Sequence, residues 1–322
     1  MSSQVLLSLI VPFYNAADYL DQLLMSVETQ LTARVQLVLV CDGATDNSLA
    51  VAQHHIARSV WPECYLLLSQ LNSGVSVARN LGIAHSTGRY VGFVDADDLL
   101  LPGYITQVLR VISGHQPDLI EIGFKRFNDI SQLPTVKPRY LQHKAGYHQV
   151  KHVAPAVFQS NRWFPWLRIY RKAIAPDFRF EPGIGFCEDV MAIPTLYQRA
   201  NTLHHLRLPL YGYREHAASA SFNVSLTQQQ QLQQFYAGLC RAQLYPDLPQ
   251  QWRKILLLNL AYLFYSLQRG QQQDTGLTSQ LRQDIKTLLL QQFFTPRFSL
   301  RKKLQLAGYL LRRNSQSAPL SY

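Results

Sequence analysis

The sequence predicts an α/β fold over residues 4–120: a Rossmann-like, mostly parallel sheet flanked by helices, with a helical C-terminal region beyond it. Two observations carry this. Continuous apolar runs alternate with segments of helical spacing, the pattern of strands buried on both faces and covered by helices. The polar residues that look chemical stand at the ends of those runs, where ligands bind in such sheets.

The first run, Leu6–Pro12, ends in Pro-Phe-Tyr-Asn, and Tyr19, Leu20, Leu23, Leu24 and Val27 give Ala17–Gln30 an apolar stripe. Val35–Val40 reads as the second strand, followed by a helix through Ser48–Ser59. A strand near Tyr65–Leu68, a helix through Gly74–His85 and a strand over Tyr90–Val94 continue the alternation, and Leu99–Val111 reads as the next helix. Pro134 and Pro138 make 125–150 loop-rich, a soft boundary inside a first domain spanning 1–225. Residues 226–322 read as mostly helical, opening with the tract Gln228–Gln231, a solvated helix face.

A chain of 322 residues with 47% hydrophobic content buries a sizeable core and excludes wholesale disorder. Its net charge of +11 suits nucleic acid, an anionic membrane surface or a phosphorylated substrate. Nucleic acid is disfavoured, because no recognition motif is present and the basic residues crowd the far end of the chain. Cys41, Cys64, Cys187 and Cys240 form no CxxC pair and read as buried, reduced thiols. The start lacks a basic segment, and Val5–Val11 is too short for a secretory signal. Ile255–Leu267 is broken by Asn259 and falls short of the ~20 residues a membrane span needs.

Two acidic clusters stand out against this charge: Asp42-Gly43-Ala44-Thr45-Asp46 and Asp95-Ala96-Asp97-Asp98. Three carboxylates in four residues repel one another unless a cation sits among them, which suggests Mg²⁺ or Mn²⁺ carrying phosphates. The competing reading makes them N-caps of the helix Leu99–Val111, which accounts for Asp98 but not for three acids. Asp42 reads either as a turn residue or as an acceptor for a nucleobase N–H.

Four ordered motifs resemble family 2 of the glycosyltransferases, an inverting family with a GT-A fold. Ser8-Leu9-Ile10-Val11-Pro12-Phe13-Tyr14-Asn15 is similar to its first strand and nucleotide loop. Val40-Cys41-Asp42-Gly43-Ala44-Thr45-Asp46 resembles its second motif, with Cys41 replacing an acid. Asn72–Ile83 and Gly88–Asp98 resemble its third motif and its metal-binding DXD motif. More loosely, Trp166–Lys172, Phe180–Gly183, Cys187–Val190 and Pro209–Arg214 look like a branch that builds bacterial surface polysaccharides, with coverage to about residue 222.

The resemblance implies roles. Pro12, Tyr14, Asn15, Asp42, Asn72, Gly74, Arg79, Asp95 and Ala96 would line the nucleotide site. Asp97 would be the principal ligand of Mn²⁺ or Mg²⁺, Asp95 would assist, and His216 reads as either a third ligand or a solvated loop residue. Arg79 would contact phosphate or Asp95, or serve as a structural ion pair. Asp98 is assigned to a helix cap. Asp189 would be the catalytic base with Glu188 positioning it, unless the two merely cap a helix over Val190–Gln198. The donor would be a nucleotide sugar, UDP favoured, and the acceptor a glycan or lipid-linked glycan of capsule, lipopolysaccharide or exopolysaccharide. A catalytically inactive GT-A scaffold is the rival of a different class.

Phe298–Arg313 mixes apolar and basic residues at helical spacing. It reads either as a helix lying on an anionic bilayer or as one packed on the protein with a basic outer face. The expected location is cytoplasmic, at the inner face of a membrane if peripheral, and self-association as a homo-oligomer stays open.

Overall fold

The computed structural model describes residues 4–141, 144–216, 225–271, 279–292 and 300–311. Its strands and helices run β1 (Leu7–Phe13), α1 (Ala17–Glu28), β2 (Val35–Asp42), α2 (Ser48–Arg58), β3 (Tyr65–Gln70), α3 (Val75–His85), β4 (Tyr90–Phe93), β5 (Leu99–Leu100) and α4 (Tyr104–Gly114). They continue with β6 (Leu119–Phe127), β7 (Gly146–Gln149), α5 (Val150–Ser160), β8 (Arg168–Arg171), α6 (Glu188–Arg199) and β9 (Thr202–Arg214). Four helices close the order: α7 (Leu226–Cys240), α8 (Gln250–Gln271), α9 (Ser279–Gln292) and α10 (Leu300–Leu311).

By compactness the chain divides into two units, Met1–Val153 with Trp163–Asn223, and Ala154–Arg162 with Val224–Tyr322. The first holds a sheet in the order β3-β2-β1-β4-β8-β6-β9-β5, with β7 beside β9. The pairs β3–β2, β2–β1 and β1–β4 are parallel, as the alternating pattern predicts. Beyond β4 the sheet is mixed: β8 runs antiparallel to β4 and β6, and β5 and β7 run antiparallel to β9. No run of alternating strand and helix in the sequence covers those strands, so their direction was not legible there. β1 is buried on both faces, and α3 lies so close that a Cβ on Gly82 would meet Ile10 Cγ2 at 2.3 Å. The order brings the ends of β1, β2 and β4 together at one edge, and that edge carries the site.

The helix expected over Leu99–Val111 begins only at Tyr104, after the short β5 and the left-handed N-cap Gly103 (φ 89°). Asp98 is therefore not a helix cap. It is 1% exposed and anchors β9: its carboxylate accepts hydrogen bonds from Tyr211 Oη (2.7 Å) and the Arg214 amide (2.7 Å).

The second unit packs α7, α8, α9 and α10 around Leu232, Tyr236, Leu256, Leu260, Ile285 and Leu306. The break in the apolar run of α8 has a cause: Asn259 is buried and donates to the Phe158 carbonyl (2.7 Å). Gln228 joins Ser225 in a capping box at the start of α7, and Gln229 is buried rather than solvated. Of the basic outer face expected of the last helix, the described residues place Arg301 outward and leave Lys302 half-buried. In α10, Lys303 is 3% exposed while Leu300 and Leu304 are 59% and 56% exposed. Arg297, Arg312 and Arg313 lie outside the described residues. Among the described residues no helix is long and apolar enough to cross a membrane.

Candidate active site

The loops after β1, β2 and β3 are tied into one wall. Asn15, held at φ 48°, accepts the Thr45 amide on Oδ1 (2.8 Å), and Asp46 Oδ2 accepts the Ala17 amide (3.0 Å). Gly43 sits at φ 67° with its Cα against Asn72, where an added Cβ would lie 2.5 Å from the Asn72 amide nitrogen; only glycine suits both conditions. Asp42 is 4% exposed and accepts from Gln70 Nε2 (2.7 Å), the Ser73 amide (2.9 Å) and the Gly74 amide (2.9 Å). A carboxylate offers about four lone-pair sites, so one acceptor position is left for a ligand. Pro12 is buried within β1 opposite Val40, whereas the Tyr14 ring is 49% exposed at the strand end. Of the residues assigned to a base, Tyr14 offers a stacking face and Asp42 an acceptor.

The second wall is the turn after β4. Asp98 N–H donates to the Asp95 carbonyl (3.2 Å), and Asp95 N–H donates to Tyr211 Oη (3.1 Å). That hydroxyl in turn donates to Asp98, so one buried tyrosine holds both ends of the turn. Tyr211 is locked by Trp166, stacked at 4.3 Å and 3°. The turn leaves Ala96 buried and the side chains of Asp95 and Asp97 30% and 33% exposed. His216, just past β9, brings Nε2 to 2.7 Å from Asp97 Oδ2 and stacks on Tyr19 at 5.0 Å. Arg214 fixes this segment, donating from Nε to the Asp97 carbonyl (2.7 Å) and from Nη2 to Gln22 (2.8 Å).

Burial, reinforced by repulsion from Asp97, raises Asp95 above the usual carboxylate range against the pull of Arg79. Burial and the charges of Asp95 and Asp97 lift Asp98 further. An acid cluster strained in this way is relieved by a cation. Asp95 and Asp97, each about a third exposed, offer the oxygen donors that Mn²⁺ or Mg²⁺ accepts, the remaining positions falling to water and phosphate oxygens. Among the described residues no preformed cage of three or more metal-ligating side chains exists. The residues fit a metal completed by its substrate.

α3 joins these walls to the start of α6. Arg79, 4% exposed, donates from Nη2 to Asp95 (3.2 Å) and from Nη1 to Glu188 (2.8 Å), with its guanidinium 5.1 Å from the Phe180 ring centre. One helical turn carries a second clasp: Asn80 donates to the Phe180 carbonyl (2.8 Å) and accepts from its amide (2.8 Å). A buried guanidinium between two carboxylates makes Arg79 an ion-pair hub, the structural alternative of the sequence reading, while still tying it to Asp95. Glu188 and Asp189 open α6 after Cys187, which is held at φ 62°. Burial first and the Glu188 charge second push the Asp189 carboxyl up to about 7. Its Oδ1 accepts from the Val190 amide (2.6 Å).

Sequence reasoning missed four supports: Tyr19, Asn80, Arg168 and Tyr211. Asn80 and Tyr211 lie inside motifs quoted for other residues. Arg168, 1% exposed, donates to Tyr197 Oη (2.7 Å), and its charge opposes the rise of Asp189. It too lies inside a quoted motif, Trp166–Lys172, which assigned it no role.

The family model described as Glycosyl transferase family 2 matches residues 8–165. The chain is 29% identical over 222 residues to the uncharacterized glycosyltransferase EpsJ of Bacillus subtilis, an alignment covering 66% of this chain and 62% of that one. It thus spans less than two thirds of that relative's length. The fold is similar to S. aureus TarS 1–349 in complex with UDP-GlcNAc, with TM-score 0.67 and 20% identity over 88% of this chain and 80% of that one. It is also similar to the mannosyltransferase PcManGT from Pyrobaculum calidifontis in complex with GDP-Man and Mn²⁺, with TM-score 0.52 and 12% identity over 97% and 89% of the two chains.

Proposed function

We propose that this protein, whose residues 8–165 match the model of glycosyltransferase family 2, is an inverting transferase that moves a sugar from a nucleoside-diphosphate donor to a glycan hydroxyl. The observation that supports the reading is the bridge from Asp95 through Arg79 to Glu188, whose neighbour in the chain, Asp189, has its carboxyl pushed up to about 7 by burial and by Glu188.

Tyr14 and Asp42 would hold the base, with Asn15, Asn72 and Gly74 shaping the loops around it. Asp97, with Asp95 and His216, would hold Mn²⁺ or Mg²⁺, which when bound supplies a Lewis acid for the departing diphosphate. The acceptor oxygen attacks the anomeric carbon from the face opposite the diphosphate. The new C–O bond forms as the sugar–phosphate bond breaks, its electron pair leaves with the diphosphate, and the hydroxyl proton passes to Asp189 Oδ2. A base near pH 7 is matched to that step. Glu188, fixed by Arg79, orients the acceptor or the base.

The UDP-GlcNAc bound by TarS supports a UDP-sugar, hexosyl or N-acetylhexosaminyl, as the donor. Relatives named for minor teichoic acid and teichuronic acid biosynthesis support a bacterial surface polysaccharide as product, and a lipid-linked glycan would serve as acceptor. Thermal shift against a panel of nucleotide sugars, with and without Mn²⁺, tests the donor site. One donor should stabilise the protein only with the metal. Equal shifts without metal, or none with any donor, would contradict the assignment.

A further inference from the structure

α10 turns two leucines outward while it buries a lysine. Its spacing sets Leu300 and Leu304 on one face, and both point away from the protein, 59% and 56% exposed. Two of its three described basic residues turn inward, while Arg301 is exposed. Lys303 is 3% exposed, and Lys302 lies over the Tyr262 ring with Nζ 5.0 Å from the ring centre. Gln305 secures that side by accepting from Tyr262 Oη (3.1 Å). The neighbouring α9 repeats the feature: Leu290 is 68% exposed, one turn after the exposed Lys286, while Ile285, Leu288 and Leu289 are buried. Single exposed leucines are ordinary on a surface, but three on two adjoining helices, one of which buries a lysine, are not.

The charge around these leucines selects their partner. In the sequence, residues 226–322 hold twelve Lys and Arg against three Asp, which is nine of the eleven net positive charges. A second copy of so basic a region would be repelled. A nucleic acid would engage outward-facing cations and stacking aromatics, whereas here leucines lead. A surface that is both anionic and apolar within a few ångströms is a lipid bilayer.

We propose that the outer faces of α9 and α10 dock on an anionic bilayer, with Leu290, Leu300 and Leu304 inserted and Lys286 and Arg301 at the headgroups. The inserted leucines gain an apolar medium that water denies them, and the surrounding charge supplies the long-range attraction. The lipid-linked acceptor proposed above would make this useful, but the docking does not depend on transfer.

The test is co-sedimentation of the full chain with phosphatidylglycerol-containing vesicles and with phosphatidylcholine vesicles. The protein should pellet with the former and not the latter, less so as salt rises. The Leu300→Asp/Leu304→Asp variant should bind about ten-fold more weakly or worse. Leu290→Asp, on a separate helix, should weaken binding on its own. Both variants should keep the wild-type melting temperature, because the altered side chains are exposed, and Asp97→Ala should pellet like wild type. Wild-type protein remaining in the supernatant with anionic vesicles would overturn the proposal. So would variants that pellet undiminished, or a change in oligomeric mass by light scattering in the aspartate variants, which would make the face a contact between copies.

Discussion

In the proposed reaction Asp189 is the carboxyl that takes the proton. Burial and Glu188 hold it near 7, far above a free aspartate, so transfer should rise with pH through about 7 and fall away below it as Oδ2 becomes protonated. A pH–rate profile of kcat/KM checks this, and Asp189→Asn should remove the acid limb and lower the rate by about 10² to 10⁴. Arg79 pulls the same carboxyl downward, so Arg79→Met should move the acid limb to higher pH. It should also cost about 1–3 kcal/mol by leaving the partly buried Asp95 and Glu188 without their cation, readable by denaturant unfolding. Each candidate residue was visible in the sequence as a motif letter. What the letters could not give was environment: that Asp98 is a buried anchor for Tyr211 and Arg214, or that His216 meets Asp97, depends on β9 returning beside β5.

Among elements, α3 and α6 decide whether donor and acceptor sides form one site. Asn80 makes two hydrogen bonds to Phe180, and Asn80→Ala should cost about 1–3 kcal/mol in a melting or denaturant experiment. Transfer should fall more than donor binding, because α6 loosens while the nucleotide loops stay tied. Cys187 holds a left-handed conformation at the N-cap of α6 that costs a non-glycine residue roughly 1–2 kcal/mol. Cys187→Gly should therefore be neutral or stabilising, and Cys187→Val destabilising, by thermal melts. The helices and strands through β4 were legible because each is one apolar period long and bounded by turn residues. The stretch Leu99–Val111 misled because its apolar residues serve a two-residue strand and then a helix, and β8 and β9 gave no signal of direction.

At the scale of the molecule, a sheet edge collects the loops of β1, β2 and β4, and a strap at Arg214–His216 closes over the acidic turn. The helical unit concentrates positive charge while the acids of the site lie in the sheet unit. That polarity was plain in composition. Which way each face of α10 points was not, because periodicity marks a stripe without saying which side is buried. The central claim is that the acidic turn and Asp189 serve a single transfer reaction. It is tested most directly by sugar-nucleotide turnover in Mn²⁺, comparing wild type with Asp97→Ala and Asp189→Asn. Wild type should turn over the donor and lose activity with EDTA. Asp97→Ala should lose metal-dependent donor stabilisation and turnover together, and Asp189→Asn should retain that stabilisation while losing turnover. Turnover unchanged in both variants would contradict the account.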